Sequence, residues 1–266
     1  MQRSMLVTGA ASGIGRAIAT HFVRKGWFVG LADKDHAGLN RLSGELAGAF
    51  VALRIDVRDG AAWAAAVEQF ASAAANRMDV FVNNAGIAHC GRFEDIPLDA
   101  AMSVLETNLA GAVRGIYACL PLLRATPGST IINIGSSSGL IGYPAMAVYS
   151  ASKAGLMALS EALAIEFAPD GPHVMTVAPH FIDTPLLDSP YHSGGKGPSS
   201  RENQLSLVNR YRVEQVVNAV DRAISARPLR VLVGADAVKI DLLRRFAPRL
   251  LRRLVSDRWQ KLMGMR

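Results

Sequence analysis

Seven short apolar runs, at residues 5–8, 28–33, 50–57, 80–85, 130–135, 174–178 and 230–233, recur along this chain with stretches of helical periodicity between them. Runs this uniformly apolar have no polar face to turn to water, so a sheet built from them is covered on both sides. Strand–helix–strand alternation makes neighbouring strands parallel and their crossovers right-handed. The expectation is an α/β fold: a Rossmann-type, doubly wound, seven-stranded parallel sheet flanked by helices. A chain of 266 residues has enough core for one such domain. That domain is expected over 1–238, with 239–266 as a basic amphipathic C-terminal extension.

Half of the residues are hydrophobic, which excludes a disordered protein. The two cysteines, Cys90 and Cys119, are far apart, and neither they nor the six histidines have metal-ligand spacing. A disulfide framework and a metal site are therefore not expected. No run of about 18 uncharged apolar residues occurs, and residues 1–4 lead into the first strand without an apolar leader core, so a cytoplasmic protein is expected. The net charge of +7 is uneven: nine of the 29 Lys and Arg but two of the 22 acids fall in 239–266. The body is neutral and the tail is basic, which argues against nucleic acid as a partner.

The first strand ends in Thr8-Gly9-Ala10-Ala11-Ser12-Gly13-Ile14-Gly15, and a helix follows. Glycines between a strand and a helix let the backbone approach a pyrophosphate at the helix N-terminus. The second strand ends at Asp33. A carboxylate there accepts hydrogen bonds from the adenosine ribose and repels a 2′-phosphate, which favours NAD over NADP. Lys34 beside it works against that repulsion. Farther on, Tyr149 and Lys153 lie four residues apart and share a helix face. A lysine ammonium beside a tyrosine favours the phenolate, so the pair can pass a proton to or from an alcohol oxygen.

In these motifs, taken in order, residues 5 to about 235 resemble the short-chain dehydrogenase/reductase family. Thr8, Gly9, Gly13 and Gly15 match its cofactor turn, which also contains Ser12 and Ile14. Asp56-Val57 matches the acidic position that meets the adenine amino group. Asn83-Asn84-Ala85-Gly86 matches the segment ending the fourth strand. Asn108 falls at the catalytic asparagine, and Ser136 stands thirteen residues before Tyr149, the usual interval. The resemblance implies hydride transfer between nicotinamide C4 and a carbonyl or alcohol carbon. Tyr149 is then the proton carrier, Lys153 lowers its pKa and holds the nicotinamide ribose, and Ser136 places the substrate oxygen. Asn108 holds a water through its main-chain carbonyl. Pro179, Ile182 and Thr184 fit positions that hold the carboxamide and phosphate.

Three departures stand out. Gly135 replaces the first of the family's two serines, and Ser138 is a second choice for the role of Ser136. His180 stands where Pro-Gly is usual; the ring either narrows the substrate pocket, touches the pyrophosphate, or turns to solvent. The tail repeats apolar residues at three and four positions from Leu242 to Met263 with arginines on the other face. It either packs on its own or a neighbouring subunit or lies on anionic lipid. Residues 186–203, rich in Ser, Pro and Gly, sit where the family has a substrate lid. His89, Cys90, Phe93, Tyr143 and Met146 are further pocket candidates, and their mixture suggests an uncharged substrate. The expected activity is NAD-dependent interconversion of a secondary alcohol and its ketone by a homodimer or homotetramer. An NADPH-dependent reductase of carrier-bound 3-oxoacyl groups and a non-catalytic nicotinamide-binding regulator are the rivals.

Overall fold

The computed structural model describes residues 2–184, 186 and 211–262. Seven strands, β1 (Ser4–Thr8), β2 (Phe28–Asp33), β3 (Phe50–Arg54), β4 (Val80–Asn83), β5 (Thr130–Ile134), β6 (His173–Pro179) and β7 (Arg230–Val233), form one sheet. Its order is β3-β2-β1-β4-β5-β6-β7, and every pairing is parallel. The chain winds outward from β1 to β3, returns to place β4 on the other side of β1, and winds outward again. The strand direction therefore reverses its progress between β1 and β4, which opens a crevice at their C-terminal ends.

Helices cover both faces. α1 (Gly13–Arg24), α2 (His36–Glu45) and α7 (Val213–Ala226) join the core containing Phe22, Leu31, Val82 and Val220. α3 (Gly60–Ala73), α5 (Gly111–Ala125) and α6 (Ala147–Glu166) close the opposite core around Trp63, Phe70, Phe81 and Leu123. Two strand ends differ from the apolar pattern. β3 stops at Arg54 because Asp56 starts a turn, its carboxylate accepting the Arg58 N–H at 3.0 Å. β4 stops at Asn83 because the N–H groups of Asn84 and Ala85 turn to Thr8 Oγ1, at 2.9 and 3.0 Å.

Between α4 (Leu98–Leu105) and α5 the helix opens into a π-turn, Glu106–Ala110. The tail forms two helices, α8 (Ala235–Phe246) and α9 (Pro248–Leu262), broken where Pro248 starts the second. Ile240 and Leu251 pack on Leu140, Met157 and Ala178 of this same chain. Arg230 and Arg245 both bond the buried Asp241 carboxylate, at 3.5 and 2.8 Å, which ties α8 to the end strand. The outward face keeps Leu242, Phe246, Leu250 and Leu254 exposed. No helix among the described residues is long and apolar enough to cross a membrane.

Candidate active site

The glycine turn owes its shape to close packing. Gly9 and Gly13 take φ of +69° and +53°, which favour glycine. Asn84 Nδ2 donates to the Thr8 carbonyl at 2.8 Å and holds the turn against β4. Ser12 caps α1 without a side-chain bond, and the first turn carries no acid. The first N–H groups of α1 thus remain for an anion. At the next strand end, Asp33 accepts from the main-chain N–H of Ala11 and of Asp35, both at 2.9 Å, which fixes the carboxylate beside the turn. Asp56 is engaged by Arg58, whose Nη2 lies 2.6 Å from Oδ2, and this bond holds the Asp56 carboxyl below its ordinary pKa.

Behind these strand ends, α6 brings Tyr149 and Lys153 over β5. A buried hydrogen-bonded row locks the two together: Asn83 Nδ2 to Asn133 Oδ1 at 2.9 Å, and Asn133 Nδ2 to Ser160 Oγ at 2.8 Å. The Tyr149 phenol is drawn towards Ser136, whose Oγ accepts the Ser138 N–H at 3.1 Å. Lys153 Nζ donates to the Ile134 carbonyl at 2.8 Å and stands 5.9 Å from the centre of the Tyr149 ring. Asn108 Oδ1 accepts from Ile87 N at 2.8 Å, and its Nδ2 donates to the Ile87 carbonyl and Ser152 Oγ at 2.9 and 3.1 Å. The side chain of Asn108 is spent on packing. The π-turn around it shifts the main-chain ladder, the Gly111 N–H reaching back to the Glu106 carbonyl.

These groups meet in a cavity of about 430 Å³. Its wall contains Gly9, Ser12, Gly13, Ile14, Asp33, Lys34, Asp56, Val57, Asn84, Ala85 and Gly86 at the glycine-turn side. Ser136, Ser138, Met146, Tyr149, Lys153, Pro179, His180, Ile182 and Thr184 are on it too, as is His89. β2 and β5 stand three strand spacings apart, about 14 Å. The wall therefore offers an anion cradle, a carboxylate on one side of it and a Ser–Tyr–Lys cluster on the other, which fits a dinucleotide.

Not every candidate reaches the wall. Thr8 and Gly15 lie beneath the turn and off the wall, as does Asn108. Tyr143 is not on the wall either; its hydroxyl is drawn to Ser137 and its ring packs edge-on to Phe181 at 5.9 Å. His180 does not turn to solvent but is buried, with Nδ1 2.8 Å from Ser137 Oγ. Phe93 is 71 % exposed, and Cys90 is buried against Tyr149. The lid lies outside the described residues apart from Leu186, which reaches the wall. Ser137, Thr107 and Phe181 also reach it, and no motif marks them.

The Tyr149 expectation is corrected in direction. Burial pushes its phenol up to about 12, and the Ser136 hydrogen bond draws it only partly back. Lys153 is drawn down to about 8, also by burial. Below pH 8 the folded chain holds a buried ammonium, a state that the unfolded chain solvates freely. Lys153→Met is accordingly expected to stabilise the fold at pH 7 by about 1 kcal/mol or more. As pH rises from about 8 towards the unfolded value near 10.5, the wild type sheds that penalty and the difference shrinks. Urea unfolding of both proteins across this range checks it.

A doubly wound sheet with a cavity at its switch point is the architecture in which dinucleotides are bound. Residues 3–192 match the family model for short chain dehydrogenase, and the chain belongs to the short-chain dehydrogenase/reductase family, whose members bind a nicotinamide cofactor. It is 34% identical over 240 residues to an uncharacterised short-chain type dehydrogenase/reductase of Sinorhizobium fredii, covering 89% of this chain but only 42% of that protein's length. It is 35% identical over 184 residues to the 3-alpha-(or 20-beta)-hydroxysteroid dehydrogenase of Mycobacterium tuberculosis, covering 69% of this chain and 70% of that one. Among solved structures, the 3-ketoacyl-(acyl-carrier-protein) reductase of Brucella melitensis complexed with NADH aligns with a TM-score of 0.77 and 26% identity, over 87% of this chain and 96% of that one.

Proposed function

We propose that this protein is an NAD-dependent dehydrogenase that interconverts a secondary alcohol and its ketone, with Tyr149 as general acid and base. The observation that carries this reading is one cavity wall bearing both the Asp33 carboxylate and the Ser136–Tyr149–Lys153 cluster. A bound nicotinamide would supply the hydride acceptor or donor at its C4. Ser136, beside Tyr149, sets the substrate oxygen against the phenol. Tyr149 takes the alcohol proton in oxidation and returns it in reduction. Its raised pKa suits the acid role; the base role draws on the cationic charge of Lys153 and of an oxidised nicotinamide. The main-chain carbonyl of Asn108, in the π-turn, would hold a water that relays the proton from Lys153 outward.

Among the described residues, the substrate side of the wall carries no carboxylate. His89 and His180 have pKa values lowered by burial, so both are neutral at pH 7. An uncharged substrate follows. Lys34 on the same wall favours the NADPH-dependent rival. The carrier-bound reaction is not tied to NADPH, since the Brucella reductase was solved with NADH. The same reading places the protein in the cytoplasm as a homodimer or homotetramer. It leaves the outward apolar face of α8 and α9 for a neighbouring subunit or an anionic lipid surface.

Titration with NADH and NADPH by calorimetry tests the cofactor, and a screen of secondary alcohols with NAD tests the reaction. NADH is expected to bind more tightly. Asp33→Ala is expected to narrow the preference by about tenfold or more, since a charged hydrogen bond is worth about 1.5–3 kcal/mol. Tighter NADPH binding by the wild type would show that Lys34 overrides Asp33.

A further inference from the structure

Beside the reacting cluster lies a second polar chain that proton transfer at Tyr149 does not need. Ser137 Oγ lies 2.8 Å from His180 Nδ1, and the Tyr143 hydroxyl is drawn towards Ser137. Ser137 is 1 % and His180 7 % exposed. The imidazole is clamped edge-on to Phe181 at 5.0 Å and to Tyr211 at 6.1 Å. Its other nitrogen, Nε2, has no hydrogen-bond partner among the described residues. His180 is shut off from the outer surface and forms part of the cavity wall.

We propose that His180 is a substrate-recognition residue that hydrogen-bonds a second oxygen of the substrate, one that does not react, so that the preferred substrate is a diol or hydroxyketone. The proposal rests on the dehydrogenase reading above. Adjacent serines have separate partners, since Ser136 turns to Tyr149 and the reacting oxygen while Ser137 turns to His180. Ser137 and Tyr143 are positioning residues, because they fix the ring without touching substrate. A hydroxyl suits this nitrogen in either tautomer, since it donates as readily as it accepts. A neutral imidazole brings no positive charge to attract a carboxylate or phosphate. Met146, Phe181 and Leu186 on the same wall leave apolar surface for the carbon skeleton. A buried polar atom left unpaired by a mono-alcohol is what produces discrimination.

The test compares kcat/KM with NAD for matched pairs: 2-butanol and 2,3-butanediol, cyclohexanol and the 1,2- and 1,4-cyclohexanediols, 1-phenylethanol and 1-phenyl-1,2-ethanediol. Wild type is expected to favour the dihydroxy member of its best pair by at least about tenfold after correction for equivalent hydroxyls, chiefly through KM. His180→Phe is expected to erase that ratio, and Ser137→Ala, a smaller change, to reduce it in the same direction. Equal use of both members, or a preference that survives in both variants, would overturn the proposal while leaving the dehydrogenase reading in place. Turnover of no pair with NAD or NADP would overturn that reading, and this proposal with it.

Discussion

Tyr149→Phe is expected to lower turnover by about a thousandfold, within the ~10²–10⁴ range of general acid–base catalysis, with NADH affinity little changed. The substitution removes one oxygen from a buried ring and leaves the helix, the Asn83–Asn133–Ser160 row and the Lys153 bond to Ile134 in place. What it removes is the proton carrier and the partner of Ser136. The substrate can still be held, so the loss falls on kcat more than on KM. Calorimetry on the variant supplies the control: a fall in NADH affinity matching the fall in turnover would mean that the phenol builds the site instead of reacting in it. Unchanged turnover would sink the proton-carrier role and bring forward a different acid. A protein that binds nicotinamide only as a regulator would show no effect of this change on its function.

The frame of the site is legible in the chain because each of its parts sits at the end of an apolar run. Thr8, Asp33 and Asn83 close β1, β2 and β4, and parallel pairing carries all three ends to the same edge of the sheet. Spacing also brings Ser136, Tyr149 and Lys153 to one cavity, since four residues on α6 make one turn. What spacing lacks is depth. The Tyr149 phenol is raised because the ring is buried, and burial is a property of the packed molecule. Strand ends fail for a related reason: β3 and β4 stop where Asp56 and Thr8 side chains take main-chain N–H groups that a ladder would otherwise use. The π-turn at Asn108 has no periodic signature. Tyr143 reads as a pocket residue, yet its hydroxyl finds Ser137 and the ring leaves the wall. One signal for that buried chain was present in His180, a bulky polar group where the family has glycine. Its partner is hidden in a run of three serines that look alike until each is given a direction.

Gly15→Ala is expected to destabilise the fold by about 3 kcal/mol, the upper end of overpacking costs, and to weaken NADH binding by more than about tenfold. Gly15 lies off the cavity wall, so no lost ligand contact accounts for this. An added Cβ would stand 2.1 Å from the Gly9 carbonyl oxygen and 2.4 Å from Asn84 Nδ2. The first is main chain and cannot swing aside; the second is the group that ties the turn to Thr8. Relief requires α1 to move away from the end of β1, and the N–H groups that form the anion cradle move with it. Gly13→Ala is the comparison. There the nearest atom is Thr184 Cβ at 3.4 Å, and the cost comes from φ of +53°, about 1–2 kcal/mol. Urea unfolding and NADH titration of both variants separate the two causes. Gly15→Ala should be the more damaging in each measurement, because it drives helix from strand, whereas Gly13→Ala strains a single residue. Equal effects would mean that the turn yields as a unit and that close packing at Gly15 does not set the position of the cradle.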